Sequence, residues 1–282
     1  MIALFADLDI GAIEALLCDA DGCLFPSEEP AFVASAAVTN ELMAEIGGER
    51  RYEAEELRRA TSGQNFRTTA AVLAREQGRL LEADALERWV AAERLRVTDH
   101  LAAALEPDRE VSEPLSRLHR EYDLALVSSS AIGRLEACLE ATALDELFPE
   151  AVRFSAESSL PLPTSKPDPA VYELALKRLG IPAENALAIE DSEPGVSAAV
   201  AAGIPTLGNV TFVPAVERRG RIDALAAAGA AGVIYSWRQL ELLLSGRVRP
   251  DLISAHPTAS SSTPKARKPR SQASGPPRSS RR

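Results

Sequence analysis

Three short stretches of this chain set acidic or hydroxyl side chains directly after apolar runs, and with a fourth around Lys166 they hold the parts that phosphoryl transfer requires. Those parts are a nucleophile, a proton carrier, and positive charge to hold the phosphoryl oxygens. The first is Leu16-Leu17-Cys18-Asp19-Ala20-Asp21-Gly22. Two aspartates two positions apart just past an apolar strand can both line the mouth of a sheet, and Gly22 lets the chain turn sharply. Alone, such a pair also fits an acidic turn or a fragment of a calcium loop, although a full EF-hand loop is absent. The second is Leu124-Ala125-Leu126-Val127-Ser128-Ser129-Ser130. A hydroxyl at a strand end, followed by amides at a helix start, can hydrogen-bond a phosphoryl oxygen, but serines also cap helices routinely.

The third stretch, Ser165-Lys166-Pro167-Asp168-Pro169, carries the first lysine of a chain that otherwise uses arginine up to that point. A compact ammonium suits an anionic intermediate beside carboxylates. The fourth is Ala188-Ile189-Glu190-Asp191-Ser192-Glu193-Pro194-Gly195. Adjacent acids at the end of a buried strand are costly unless paired or metal-bound. With Asp19 and Asp21, Glu190 and Asp191 would set four carboxylates around one pocket, which would repel a phosphate dianion. A divalent cation removes that objection, and Mg²⁺ fits because it takes few carboxylates, several waters and substrate phosphate.

The elements that must carry these residues read as an α/β fold: a Rossmann-like, doubly wound parallel sheet with an inserted α-helical cap domain. Strands are expected at Ala15–Cys18, Leu124–Val127, Ala186–Ile189, Pro205–Leu207 and Gly232–Tyr235. The first three end at the polar stretches above, where open α/β sheets bind ligands. Asp168-Pro169 opens a helix that Gly180 and Pro182 close, and Ser192-Glu193-Pro194 opens another that Gly203 ends. Residues 28–106 lack strand-like runs. Leu86, Val90, Val97, Leu101 and Leu105 share one helical face there, with charged residues between them. The chain thus divides into a core of residues 1–26 and 107–251, a helical cap of residues 27–106, and a tail of residues 252–282 expected to be disordered.

The order and content of these segments resemble the haloacid dehalogenase (HAD) superfamily, in its helical-cap branch of β-phosphoglucomutase and phosphoglycolate phosphatase type. Glu190-Asp191-Ser192 with Gly195, Ala198-Ala199, Ala201-Ala202-Gly203 and Pro205, and Lys166-Pro167 with Pro169 and Tyr172, carry the likeness most specifically. The resemblance implies that Asp19 attacks phosphorus and becomes an aspartyl phosphate, and that Asp21 protonates the leaving oxygen and then deprotonates water. It implies a Mg²⁺ site of Asp19, the Asp21 backbone carbonyl and Asp191, with Glu190 acting through a metal-bound water or by orienting Lys166. Ser128 and Lys166 would grip the phosphoryl group, with Ser129 beside them. The segment Thr61-Ser62-Gly63-Gln64-Asn65-Phe66-Arg67 resembles the cap loop that dips toward the core, which makes Gln64, Asn65 and Arg67 candidate substrate contacts; an ordinary helix-capping turn is the alternative. Cys23 and Ser165 depart from the residues frequent at those positions of the family, without removing a catalytic part.

By the same resemblance, the dehalogenase branch is expected to lack a carboxylate at the position of Asp21, and the phosphonate-cleaving branch to need a cap lysine, which residues 28–106 do not contain. That leaves hydrolysis of a small phosphate monoester, with a phosphosugar mutase of β-phosphoglucomutase type as the second enzyme reading. A non-catalytic phospho-accepting module or scaffold is a reading of another class, against which Asp21 and the helical insertion both count.

Composition bounds the partners. A content of 46% hydrophobic and 26% charged residues is ordinary for a globular protein, and no apolar run approaches a membrane span. The N-terminus lacks a basic signal-like region, and Cys18, Cys23 and Cys138 have no metal-like spacing, which together point to reduced thiols and a cytoplasmic protein. The net charge of −10 is unevenly spread: seven basic residues and no acidic one follow Leu252, leaving 24 basic residues against all 41 acidic ones in the body. An acidic body argues against a nucleic-acid partner, the family resemblance implies a small phosphorylated metabolite, and the basic tail is a candidate for contact with an anionic surface.

Overall fold

The computed structural model describes residues 3–6, 8–61, 65–246 and 251–252. Gln64 and the basic tail beyond Leu252 lie outside the described residues. The first half of the chain forms β1 (Ala3–Leu4), β2 (Ala15–Cys18), α1 (Glu28–Glu45), α2 (Ala54–Ala60), α3 (Phe66–Glu76), α4 (Ala83–Ala104), α5 (Arg109–Leu118) and β3 (Asp123–Ser128). It continues with α6 (Ile132–Thr142), β4 (Arg153–Ser155), α7 (Ala170–Leu179), β5 (Ala186–Glu190), α8 (Glu193–Ala201), β6 (Thr206–Asn209), α9 (Arg218–Ala227), β7 (Gly232–Ile234), α10 (Trp237–Leu244) and β8 (Asp251–Leu252).

The strands make one sheet in the order β4-β3-β2-β5-β6-β7-β1-β8. The run from β4 to β7 is parallel, as the apolar runs between helices predict. Chain order reverses at the β2–β5 boundary, the switch point at which doubly wound sheets open a crevice. At the far edge the sheet departs from the all-parallel expectation: β1 pairs antiparallel with β7, and β8 pairs parallel with β1. Two-residue strands show no alternation to read, so this edge left no pattern in the sequence.

Side-chain alternation explains why helices cover both faces. Leu16, Cys18, Leu126, Leu187 and Ile189 point into a core shared with α5, α6 and α10. Leu17, Ala125, Val127, Ala186 and Ala188 point the other way, against Val171, Tyr172 and Ala175 of α7 and Ala198 and Ala199 of α8. Caps set the helix ends: Ser192 Oγ accepts from Gly195 N at 3.1 Å, and Gly180 closes α7 in the left-handed region at φ 73°.

Helices α1 to α4 follow β2 without a strand and hold apolar clusters of their own. One joins Ala36, Met43, Tyr52, Leu57 and Leu73; another joins Val38, Leu42, Ala70 and Trp89. Val97 and Leu101 of α4, with Leu105 beyond it, root this unit in the main core. Ion pairs also cross to the sheet unit, Arg58–Glu217 at 3.0 Å and Arg94–Glu157 at 2.6 Å. All three cysteines are buried and free. Among the described residues no helix is long and apolar enough to cross a membrane.

Candidate active site

Parallel register brings the motif residues to one level. Cys18 lies opposite Ile189 on one side and Leu126 on the other. The next step along each strand therefore sets Asp19 beside Glu190 and Val127, with Ser128 immediately beyond. The backbone continues this pairing, Asp19 N donating to Ile189 O at 3.0 Å. The loop after β2 is pinned from β6 and α10: Asn209 Nδ2 and Trp237 Nε1 both donate to Cys23 O, at 3.2 and 3.0 Å. Gly22 turns this loop at φ 76°, where a side chain would collide with the Asp191 carboxylate. Gly195 has an equivalent role under Glu190, whose carboxylate occupies the space that a Cβ would fill.

Lys166 stands at the centre. Its Nζ donates to Asp19 Oδ1 at 2.6 Å, Glu190 Oε1 at 2.5 Å and Val127 O at 2.8 Å, which engages all three ammonium hydrogens. Burial alone would lower the lysine pKa, but Asp19 and Glu190 outweigh it and hold the ammonium charged. The Tyr172 hydroxyl gives Glu190 Oε1 a second donor, while Glu190 Oε2 is buried without a partner. Ser129 Oγ accepts from Lys166 N at 3.1 Å and so sets the backbone that presents the lysine. Ser128 Oγ accepts from Ser130 N at 3.1 Å, which tightens the turn between β3 and α6.

Asp19, Glu190 and Asp191 each offer a carboxylate oxygen within 4.8 Å of the others, and all three are buried. Burial, then Glu190, pushes the Asp191 carboxyl up to about 7. Asp19 is raised well above the ordinary carboxylate range by burial, with Lys166 opposing. Three close carboxylates face two cations, Lys166 and, at 3.7 Å from Asp191, Arg221, with one Glu190 oxygen unpartnered among the described residues, so the cluster still lacks positive charge. This donor set fits a divalent cation with oxygen ligands.

Asp21 lies outside that cluster. Ser27 Oγ and Arg134 Nη2 donate to its Oδ1 at 2.5 and 2.8 Å, and Ser130 Oγ donates to its Oδ2 at 2.6 Å. Burial pushes the carboxyl up, but Arg134 and the two hydroxyls outweigh it and hold it below its ordinary value of 3.8. Ser27, Ser130 and Arg134 are missing from the sequence-derived site, and so is Arg221, whose Nη1 donates to the Asp191 carbonyl at 2.9 Å. Ser27 and Ser130 flank motif residues and could have been found there; Arg134 and Arg221 sit on helices among many arginines.

These groups open on a cavity of about 1070 Å³ between the strand ends and α1 to α4. Asn65 and Arg67 are among the residues that line it, and both are engaged. Asn65 caps α3 by accepting from Thr68 N at 3.0 Å, and Arg67 pairs with Glu87. His100 and His119 take no part in the site, and Trp237 is core.

Over residues 13–203 the chain matches the model of the haloacid dehalogenase-like hydrolase family, and it belongs to that family. Protein CbbY (plasmid) of Cupriavidus necator is 60% identical over 52 residues, which span 18% of this chain and 20% of that protein. CbbY of Rhodobacter sphaeroides, solved in complex with xylulose-(1,5)-bisphosphate, superimposes with a TM-score of 0.62 at 25% identity, covering 81% of this chain and 96% of that one. A HAD family hydrolase of Deinococcus radiodurans R1, solved with bound phosphate and sodium, gives 0.60 at 26% identity, covering 85% and 99%.

Proposed function

We propose that this hydrolase is a Mg²⁺-dependent phosphatase that cleaves a small organic phosphate monoester, a sugar phosphate or similar, through an aspartyl phosphate. The observation that carries this reading is the Lys166 bridge, which ties Asp19 to Glu190 while Asp21 is braced separately at the same cavity. The relatives with bound phosphate or a sugar bisphosphate support the substrate class.

Asp19 attacks phosphorus, the ester P–O bond breaks, and the leaving oxygen takes a proton from Asp21. A substrate monoanion can carry that proton in, since the second ionisation of a phosphate monoester falls at about pH 6. Water then attacks the aspartyl phosphate, Asp21 accepts its proton, and the Asp19–phosphorus bond breaks to release phosphate. Arg134 keeps Asp21 ionised between turnovers, the form that this second half needs. Lys166, with Ser128 and the amides beyond β3, orients the phosphoryl oxygens. Asp19 and Asp191, with Glu190 beside them, would hold the divalent cation, which when bound neutralises charge on the carboxylates and the phosphoryl group. Helices α1 to α4 act as the cap that excludes water and selects the leaving group.

A screen of small phosphate esters with and without Mg²⁺ tests this reading. Asp19→Asn is expected to lower turnover about a thousandfold or more, and Asp21→Asn by about 10²- to 10⁴-fold. Turnover that survives Asp19→Asn or ignores EDTA contradicts the mechanism. Transfer of phosphate between sugars that outpaces phosphate release favours the mutase.

A further inference from the structure

Helix α9 carries three arginines, and two of them are engaged locally. Arg218 donates to Val213 O at 3.0 Å, and Arg219 pairs with Asp223 at 3.1 Å on the surface. Arg221 is directed elsewhere. Leu225, four residues on and so on the same side of the helix, is buried in a cluster with Val210, Val213 and Val233. With that side anchored, Arg221 faces the ends of the strands and borders the main cavity. Its one ion pair among the described residues is with Asp191.

Arginine beside a carboxylate commonly bonds it through two parallel N–H groups. Here Nη1 donates instead to the Asp191 backbone carbonyl at 2.9 Å, and it stands 3.7 Å from Oδ2, beyond hydrogen-bond reach. The guanidinium thus lends its charge without using up an oxygen that could ligate a cation. Gly22 keeps the same oxygen clear on another side, where a Cβ would lie 2.3 Å from it. Lys166 differs, since its bonds take one oxygen each of Asp19 and Glu190. When ionised, Asp19, Glu190 and Asp191 carry three negative charges, of which Lys166 balances one. Arg221 balances a second and leaves the cluster one charge short of neutral. Without Arg221 the shortfall is two, the charge of one divalent ion.

We propose that Arg221 is a positioning residue that stands in for part of the metal's charge. It holds Asp191 in place and partly neutralised when no cation is bound, and its own charge keeps Mg²⁺ affinity low enough for the ion to exchange. This inference rests on the divalent-cation reading of the site.

The test titrates the full-length protein, stripped with EDTA and then freed of chelator, with MgCl₂ at pH 8 in a calorimeter. Arg221→Gln should bind Mg²⁺ about three- to tenfold more tightly than the wild type, because a fixed like charge beside the ion has gone. Arg221→Met, which fills similar space without charge, should do the same. Arg221→Lys keeps the charge and should stay within about twofold of the wild type. Raising KCl to about 0.5 M should shrink the difference between the wild type and the neutral variants. Thermal scans supply a readout independent of the titration. Without Mg²⁺ the neutral variants should melt below the wild type, and saturating Mg²⁺ should narrow that gap. A merely structural brace predicts the reverse sign, since loosening Asp191 would weaken binding. Equal or weaker Mg²⁺ binding by Arg221→Gln and Arg221→Met therefore overturns the inference. No Mg²⁺ binding by the wild type would instead defeat the cation reading on which it rests.

Discussion

At the level of single residues, the acids at the end of β5 and beside it tie stability to pH. Burial and then Glu190 raise Asp191 from 3.8 to about 7, so the folded chain binds more protons than the unfolded one in that window. Stability of the metal-free protein is therefore lost as pH rises from about 4 toward about 7. Asp19, also raised by burial, adds in the same direction. In thermal scans with EDTA, Tm should fall between pH 5.5 and 8, and the rise on adding Mg²⁺ should grow over the same range. Asp191→Asn should flatten the first trend and weaken the second; a Tm without this pH dependence would show that the cluster is satisfied without a cation. The cluster itself was legible in the sequence because its members follow apolar strands. Arg134 was not, since it lies 113 residues from Asp21 and nothing in its own helix marks it off from other arginines.

Among the elements, the clasp between α5 and α10 shows the opposite sign. Glu241 on α10 receives Arg117 of α5 at 3.0 Å through both oxygens and Arg238 at 2.6 Å. The Arg117 hydrogen bonds, against a burial effect, lower Glu241 below its ordinary 4.5. Its contribution is thus fully present above about 4.5 and is lost as pH falls through the lowered folded value. Glu241→Gln should be less stable than the wild type to urea at pH 7, and the two should converge in acid; a difference that persists at pH 3 would assign the loss to packing. Element identity was readable wherever an apolar run or cap was long enough. Strands β2, β3, β5, β6 and β7 fall within a residue or two of their expected bounds, and the helix that Ser192 opens is α8. Strand β4 and the β1–β8 edge escaped, because two or three residues carry neither period nor punctuation. Tertiary pairing decides such segments.

Across the whole molecule, charge is partitioned between an acidic body and a basic C-terminal stretch of seven cations. If that stretch is an appendage to the catalytic unit, truncation after Leu252, which keeps β8, should leave kcat/KM unchanged on small esters while shifting the protein later on an anion exchanger. A loss of turnover on truncation would give the tail a part in the site. The cysteines carry a further consequence. Cys18 adjoins Asp19, Cys23 lies in the pinned loop, and Cys138 is in α6. Burial pushes all three thiols up, Cys138 to about 12. Thiolate is the reactive form, so the native chain should be inert to iodoacetamide and indifferent to reductant. Alkylation then becomes a built-in clock: the rate at which each thiol is labelled reports how often its part of the molecule opens, with Cys18 timing the central strand and Cys138 the helix after β3.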